Sequence, residues 1–302
     1  MMRQLFLILF FSITVFGQTE QNKYNFTTEA TNLSFPEGIV YDYENNIYFS
    51  NCYSNWIGKI KDRTLDTLLI KPTMPIDFGK TNGLAIYKDG NIFACDYGIG
   101  AILKIDKNGT CDTFITGYKG QKFNRPNDIA FSENENLYFT DPKSYDKNNL
   151  DGVIYVFNMK TKELKPAFSG LGFPNGIAIG PCKKFLFVSE SAKNRVLRFK
   201  INEDGTLSDS TVVINLPGGD PDGLAFDKMG NLYIAHFGGG KIVVVSPQNE
   251  VINTINTPGK KPSNLEFAGK DLKTLYITED ETNSVYSIKV EIPGLKLFSS
   301  PN

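Results

Sequence analysis

A chain of 302 residues with 41% apolar and 13% aromatic residues can bury a large core, and by length alone could hold two ordinary domains. Its 32 basic and 33 acidic residues leave a formal charge of −1 without any long basic run. That balance excludes nucleic acid as an expected partner, because backbone binding needs clustered positive charge.

Residues 1–17, MMRQLFLILFFSITVFG, set one early cation (Arg3) before an apolar stretch from Leu5 to Phe16 and a small residue. This is the pattern of a secretory signal peptide cleaved after Gly17. The stretch is short for a bilayer span, no Cys follows it and no later segment reads as transmembrane. The mature chain is therefore expected to be exported, periplasmic or secreted, with no membrane association after cleavage. Tyr24-Asn25-Phe26-Thr27-Thr28 is a short strand candidate that precedes the repeating part of the chain.

From Pro36 onward the chain writes one unit six times. Pro36-Glu37-Gly38, Thr81-Asn82-Gly83, Pro126-Asn127-Asp128, Pro174-Asn175-Gly176, Pro221-Asp222-Gly223 and Pro262-Ser263-Asn264 each open a run of mostly apolar residues. A polar turn comes next, then an alternating strand such as Asn46-Ile47-Tyr48-Phe49 or Asn231-Leu232-Tyr233-Ile234. The starts lie 45, 45, 48, 47 and 41 residues apart, a period that predicts a β-propeller when filled with short strands. The expected fold class is all-β, a six-bladed β-propeller with four-stranded blades. It is expected as a single domain over 18–302, since one blade cannot bury its own faces and needs neighbours on both sides. The sixth unit has strands near 264–268, 274–278 and 284–290 but no fourth. The N-terminal strand is expected to complete that blade and close the ring, removing exposed edges. A tail from Glu291 is expected to lie over the surface.

Strand direction brings each turn and the end of each second strand to one face, so the turns share it with Asn51, Asp96, Asp141, Glu190, His236 and Glu279. The segment from Asp141 to Gly152 is longer than its counterparts and reads as a lid or surface excursion, since its spacing is wrong for a calcium loop. His236, the single His, reads either as a solvent-facing side chain or as a substrate-side proton carrier. Gly238–Gly240 reads as a blade-edge turn. Cys52, Cys95, Cys111 and Cys182 match no zinc spacing; an even count permits two disulfides without fixing their pairing. Cys95 is expected to pack as a small buried hydrophobe.

The second residue of each turn should point at the common axis: Glu37, Asn82, Asn127, Asn175, Asp222 and Ser263. All six bear oxygen. Turn chemistry accounts for Asn, Asp and Ser but poorly for Glu. Two carboxylates and several amide oxygens meeting at one point call for a hard divalent cation, calcium first, with zinc, magnesium and manganese as alternatives. The stretches RPNDIAF, YFTDP, PNGIAI and PDGLAF, in this order, resemble the senescence-marker-protein/gluconolactonase (regucalcin-like) family of six-bladed propellers, bacterial gluconolactonase branch. The resemblance covers nearly all of the mature chain. It implies one divalent metal held by Glu37, Asn127, Asn175 and Asp222, with Arg125 contacting substrate. It also implies a metal-dependent lactonase acting on sugar lactones, with Asp222 as general base or merely orienting metal-bound water. Asn82 and Ser263 would be pocket walls or water anchors, and Asp128, where Gly is usual, a cap for backbone amides or, less in keeping with the turn, a group supporting the metal's ligands. Phosphotriester hydrolysis of the diisopropylfluorophosphatase type and a non-catalytic ligand- or partner-binding propeller are the rival readings. No oligomer is implied.

Overall fold

Runs of Ile, Val, Phe and Tyr cut every five to seven residues by Gly, Asn, Asp or Lys turns suit strands rather than helices. In the computed structural model, which describes residues 24–68, 71–72 and 79–298, they form six sheets of four antiparallel strands. The second sheet gains a two-residue parallel strand, Lys71–Pro72, on its outer edge. The leader expected at 1–17 lies outside the described residues. Among those residues the helical content is two three-residue turns, Cys52–Ser54 and Ser191–Lys193, and no helix is long and apolar enough to cross a membrane.

Blades one to five run outward in chain order, the first as Pro36–Tyr41, Asn46–Asn51, Trp56–Lys61 and Thr64–Leu68. The other innermost strands are Thr81–Ile86, Ile129–Phe131, Pro174–Ile179, Asp220–Phe226 and Pro262–Ala268. Thr27–Ala30 pairs with Ser284–Lys289 and supplies the outer strand of blade six, so main-chain hydrogen bonds between the two ends of the chain close the ring. The strand sits a little later than the Tyr24-to-Thr28 stretch read from sequence.

The core is partitioned by the blade seams. Six apolar clusters each draw on two adjacent blades. At the seam of blades two and three, for example, Phe93 packs edge-on to Phe114 and Phe131 at 5.0 and 5.3 Å. This explains the aromatic second strands: a blade face is covered only by its neighbour. Cys52, Cys95 and Cys111 are buried and Cys182 is exposed; all four are free thiols.

A cavity of about 870 Å³ runs along the lower axis, lined by the ends of the innermost strands and by Leu295–Phe298. The tail is thus more than a surface strap. Gly294 N donates to Leu272 O (2.9 Å), Leu295 N to Phe226 O (2.8 Å) and Leu297 N to the Tyr43 hydroxyl (2.9 Å). Phe298 packs on Tyr87 and Phe131. Together they occupy the mouth opposite the turns.

Candidate active site

The innermost strands approach one another most closely at the turns, and glycine is what permits it. A Cβ on Gly38 would fall 2.5 Å from Asn82 O, and one on Gly176 would fall 2.0 Å from Asp222 O. Each of these glycines follows a candidate site residue, so the contact that excludes a side chain also draws neighbouring site residues together. Hydroxyls from the second strands fix the same carbonyls. Ser50 Oγ donates to Asn82 O (2.6 Å), Thr140 Oγ1 to Asn175 O (2.9 Å) and Ser189 Oγ to Asp222 O (2.6 Å). Sequence reading passed over these three hydroxyls, although each directly precedes a strand-end polar residue (Asn51, Asp141 and Glu190).

Those strand-end residues clamp the chain entering their own blade. Asp141, 1% exposed, accepts from Asn124 N (3.0 Å) and Arg125 N (2.7 Å), which sets the turn that carries Arg125 and Asn127. Asn51, Asp96, Glu190 and Glu279 accept from Ser34 N, Lys80 N, Gly172 N and Lys261 N in the same way. His236 belongs to this set. It is buried, neither solvent-facing nor on the cavity wall, with Nε2 3.2 Å from Leu216 O. Gly219 and Gly239 press on its ring, where a Cβ would lie 3.0 and 2.1 Å from the imidazole nitrogens. Gly238–Gly240 is accordingly the turn that folds over this histidine.

Above the turns lies a cavity of about 710 Å³. Glu37, Asn82, Asn127, Asn175 and Asp222 line its floor, and Arg125 lines its wall. Ser263 is the departure from the six-fold pattern. Its hydroxyl is fully buried, donating to Pro36 O at 2.7 Å, with Thr278 Oγ1 at 3.0 Å, so it ties blade six to blade one and does not face the cavity. Asp128 caps amides: Oδ1 accepts from Ile129 N and Oδ2 from Ile177 N, both at 2.9 Å.

A second ring, one residue before each turn, escaped sequence reading except at Arg125. It consists of Phe35, Lys80, Arg125, Phe173, Asp220 and Lys261, and the first five line the cavity. Phe35 and Phe173 hold positive φ, 59° and 55°, each just before a proline; non-glycine residues rarely adopt this conformation. Phe35 stacks on Tyr53 at 4.6 Å, and Lys80 Nζ lies 5.2 Å over the Tyr53 ring. The long segment after Asp141 reaches the rim through Tyr145, whose hydroxyl donates to Asp220 Oδ2 (2.6 Å) and whose ring meets Phe173 edge-on at 5.1 Å. Within that segment Ser144, Asn149 and Asp151 bond to one another.

The floor is an electrostatic problem. Burial pushes the Glu37 carboxyl well above the usual carboxylate range, and Asp280 and Asp128 add to it. Burial likewise raises Asp222, with Glu37, Asp128 and Asp220 adding and a hydrogen bond from Asn175 opposing. Among the described residues neither Glu37 nor Asp222 pairs with a basic side chain. No three His, Cys, Asp or Glu side chains among them converge into a metal cluster either, so any ion here must draw on amide oxygens as well as acids. Two buried acids without a counter-charge, flanked by Asn127 and Asn175, are the all-oxygen donor set that a hard dication fits, with positions left open.

A six-bladed propeller with an acid-and-amide floor at one mouth of its channel defines the class. Residues 35–280 match the SMP-30/Gluconolactonase/LRE-like region, and the chain belongs to this family. It is 30% identical over 277 residues to the gluconolactonase of Zymomonas mobilis, covering 82% of this chain and 77% of that protein. It is 28% identical over 238 residues to the lactonase drp35 of Staphylococcus haemolyticus, covering 74% and 70%. In fold it is similar to a gluconolactonase from Xanthomonas campestris (TM-score 0.77, 24% identity, 89% and 90% covered). It is also similar to regucalcin, a calcium-binding protein from Agrobacterium tumefaciens (TM-score 0.73, 17% identity, 89% and 94% covered).

Proposed function

We propose that the chain hydrolyses sugar lactones at the cavity floor, with one divalent cation held by Glu37, Asn127, Asn175 and Asp222. The observation that carries this reading is the pair of buried, unpaired acids facing two amides under an open cavity. The lactonase relatives at 30% and 28% identity support it. Oxygen-only donors favour calcium, with magnesium, manganese and zinc as alternatives. The leader-like stretch at 1–17 supports export of the enzyme.

A bound dication supplies Lewis-acid polarisation of the ester carbonyl. Arg125 and Lys80 hold the hydroxyls or nascent carboxylate of the sugar, while Phe35, Phe173 and Tyr145 shed water from its faces. Asp222 takes the proton of the attacking water at a carboxylate oxygen as the water oxygen bonds to the carbonyl carbon. The ring C–O bond then breaks, and the proton passes to the departing oxygen to give the open hydroxy acid. A carboxylate beside a dication is a weakened base, but burial and the neighbouring acids act in the opposite direction, and lactones are activated esters.

The test is a lactone panel run on chelator-stripped protein and on protein reloaded with each ion. Hydrolysis should follow metal content, and Asp222→Asn with metal retained should fall by about 10²–10⁴-fold, the usual contribution of a general base. Full activity in that variant would remove the base role, and inertness of loaded protein toward every lactone would remove the enzymatic reading.

A further inference from the structure

A carboxylate shut away from water is costly unless something pairs with it. Asp280 is such a group. It is 7% exposed, and both its carboxylate oxygens are buried without a hydrogen-bond partner. Its place is fixed by its own backbone, whose N–H donates to Lys261 O at 2.9 Å. The nearby Ser263 hydroxyl bonds Pro36 O at 2.7 Å and Thr278 Oγ1 at 3.0 Å, and only partly offsets the cost of burying Asp280. Lys261 reaches Asp280 only through its field, with Nζ lying 5.7 Å over the Phe237 ring.

The residue before it is a useful contrast. Glu279 is fully engaged, accepting from Lys261 N (2.6 Å), Thr282 N (2.6 Å) and Glu281 N (3.2 Å), so the structural work of this strand end is already done. The positions equivalent to Asp280 in the other blades are Cys52, Tyr97, Pro142, Ser191 and Phe237, none of them acidic. Blade six lies between blades five and one, so Asp280 stands behind the two floor acids, where Glu37 feels its charge and it feels that of Asp222. Among the described residues no three acids close on a single point, and Asp280 does not line the cavity that Glu37 and Asp222 face.

We propose that Asp280 is a further anionic residue of the divalent-cation site, set behind Glu37 and Asp222, and that it strengthens cation binding without being a direct ligand. This rests on the reading that the floor holds a dication. Its role is distinct from that of a structural residue, because in the metal-free protein neither carboxylate oxygen holds a donor within hydrogen-bonding geometry.

The test uses chelator-stripped full chain, titrated with calcium chloride and with manganese chloride by calorimetry, alongside melting curves with and without the ion. Asp280→Asn keeps the shape and removes the charge, and Asp280→Ser serves as a second variant if the first fails to fold. The expected result is a dissociation constant raised at least threefold, with a metal-free melting temperature equal to or above that of the wild type. A dissociation constant within threefold of wild type overturns the proposal, whatever happens to the melting temperature. A wild-type chain that takes up neither ion overturns the metal reading itself and this inference with it, which separates the two failures.

Discussion

Gly176→Ala tests whether close approach of the innermost strands is what assembles the floor. The added methyl would sit 2.0 Å from Asp222 O, 2.7 Å from Asp222 C and 2.9 Å from Gly223 Cα, whereas ordinary van der Waals contact begins at 3.4 Å. The strands carrying Asn175 and Asp222 must therefore part by about 1 Å or more, and all three obstacles are backbone, so no side-chain rotation can relieve them. Overpacking of this kind costs about 1–3 kcal/mol. At about 2–4 °C per kcal/mol for a domain of this size, the melting temperature should fall by roughly 2–12 °C. The larger effect should be functional. Asn175 and Asp222 are proposed ligands of one ion, and disturbing the support of a metal site costs about 10–100-fold in affinity or activity. Gly172→Ala is the matched control, because its nearest neighbours are 3.4–3.5 Å away and its φ is not positive. Calcium calorimetry, thermal melts and lactone hydrolysis on both variants give the answer. If Gly176→Ala binds the ion and melts as the wild type does, the floor is not assembled by strand contact and the reasoning fails.

Arg125→Lys keeps the charge on the wall but loses the planar fork, so KM for a sugar lactone should rise about 3–10-fold with kcat little changed; an equal fall in kcat would place Arg125 in the chemical step. Tyr145→Phe removes the hydroxyl bridging the long rim segment to Asp220 (2.6 Å). A single exposed hydrogen bond is worth about 0.5–1.5 kcal/mol, so melting should barely change while KM for larger lactones rises severalfold; identical KM values would show that the segment plays no part in holding substrate. Glu266 lines the axial cavity, and desolvation there pushes its carboxyl up to about 8. An acid with a raised folded-state value favours folding while protonated, and that contribution is lost as pH climbs from the ordinary value near 4.5 through 8. Glu266→Gln should therefore melt above the wild type at pH 9, with the difference closing by pH 5. A difference that is constant with pH would mean that Glu266 does not titrate in the fold.

The ring and its floor are legible in the sequence because both follow from one phase relation. A turn with a fixed second residue precedes every innermost strand, so six repeats place six side chains at the same height around an axis. What that relation cannot supply is side-chain reach. Glu, Asn and Asp extend into the cavity, whereas the shorter Ser263 spends its proton on Pro36 O and turns away. The clamp role of His236 is hidden for a related reason: Asn, Asp, Glu and His share no residue type, only a position and a task. The wall ring is harder still, because Phe35, Lys80, Arg125, Phe173, Asp220 and Lys261 have nothing in common except standing one residue before a turn. The tail at the far mouth depends on Phe226, Leu272 and Tyr43, which lie in three different repeats.

Function enters where the six-fold pattern breaks. Blades five and one carry the floor acids Asp222 and Glu37, and blade six between them contributes Asp280, so the acids gather on one side of the ring. Blades two and three, across the axis, carry amides at floor level with Lys80 and Arg125 on the wall above. On the proposed reading a dication would be held on the first side, and a product carboxylate or the sugar hydroxyls on the second. Moving the acids to any other pair of blades would keep the fold and the net charge but lose this opposition. On that reading the order of residues around the ring, rather than the ring itself, is what would suit the chain to a lactone.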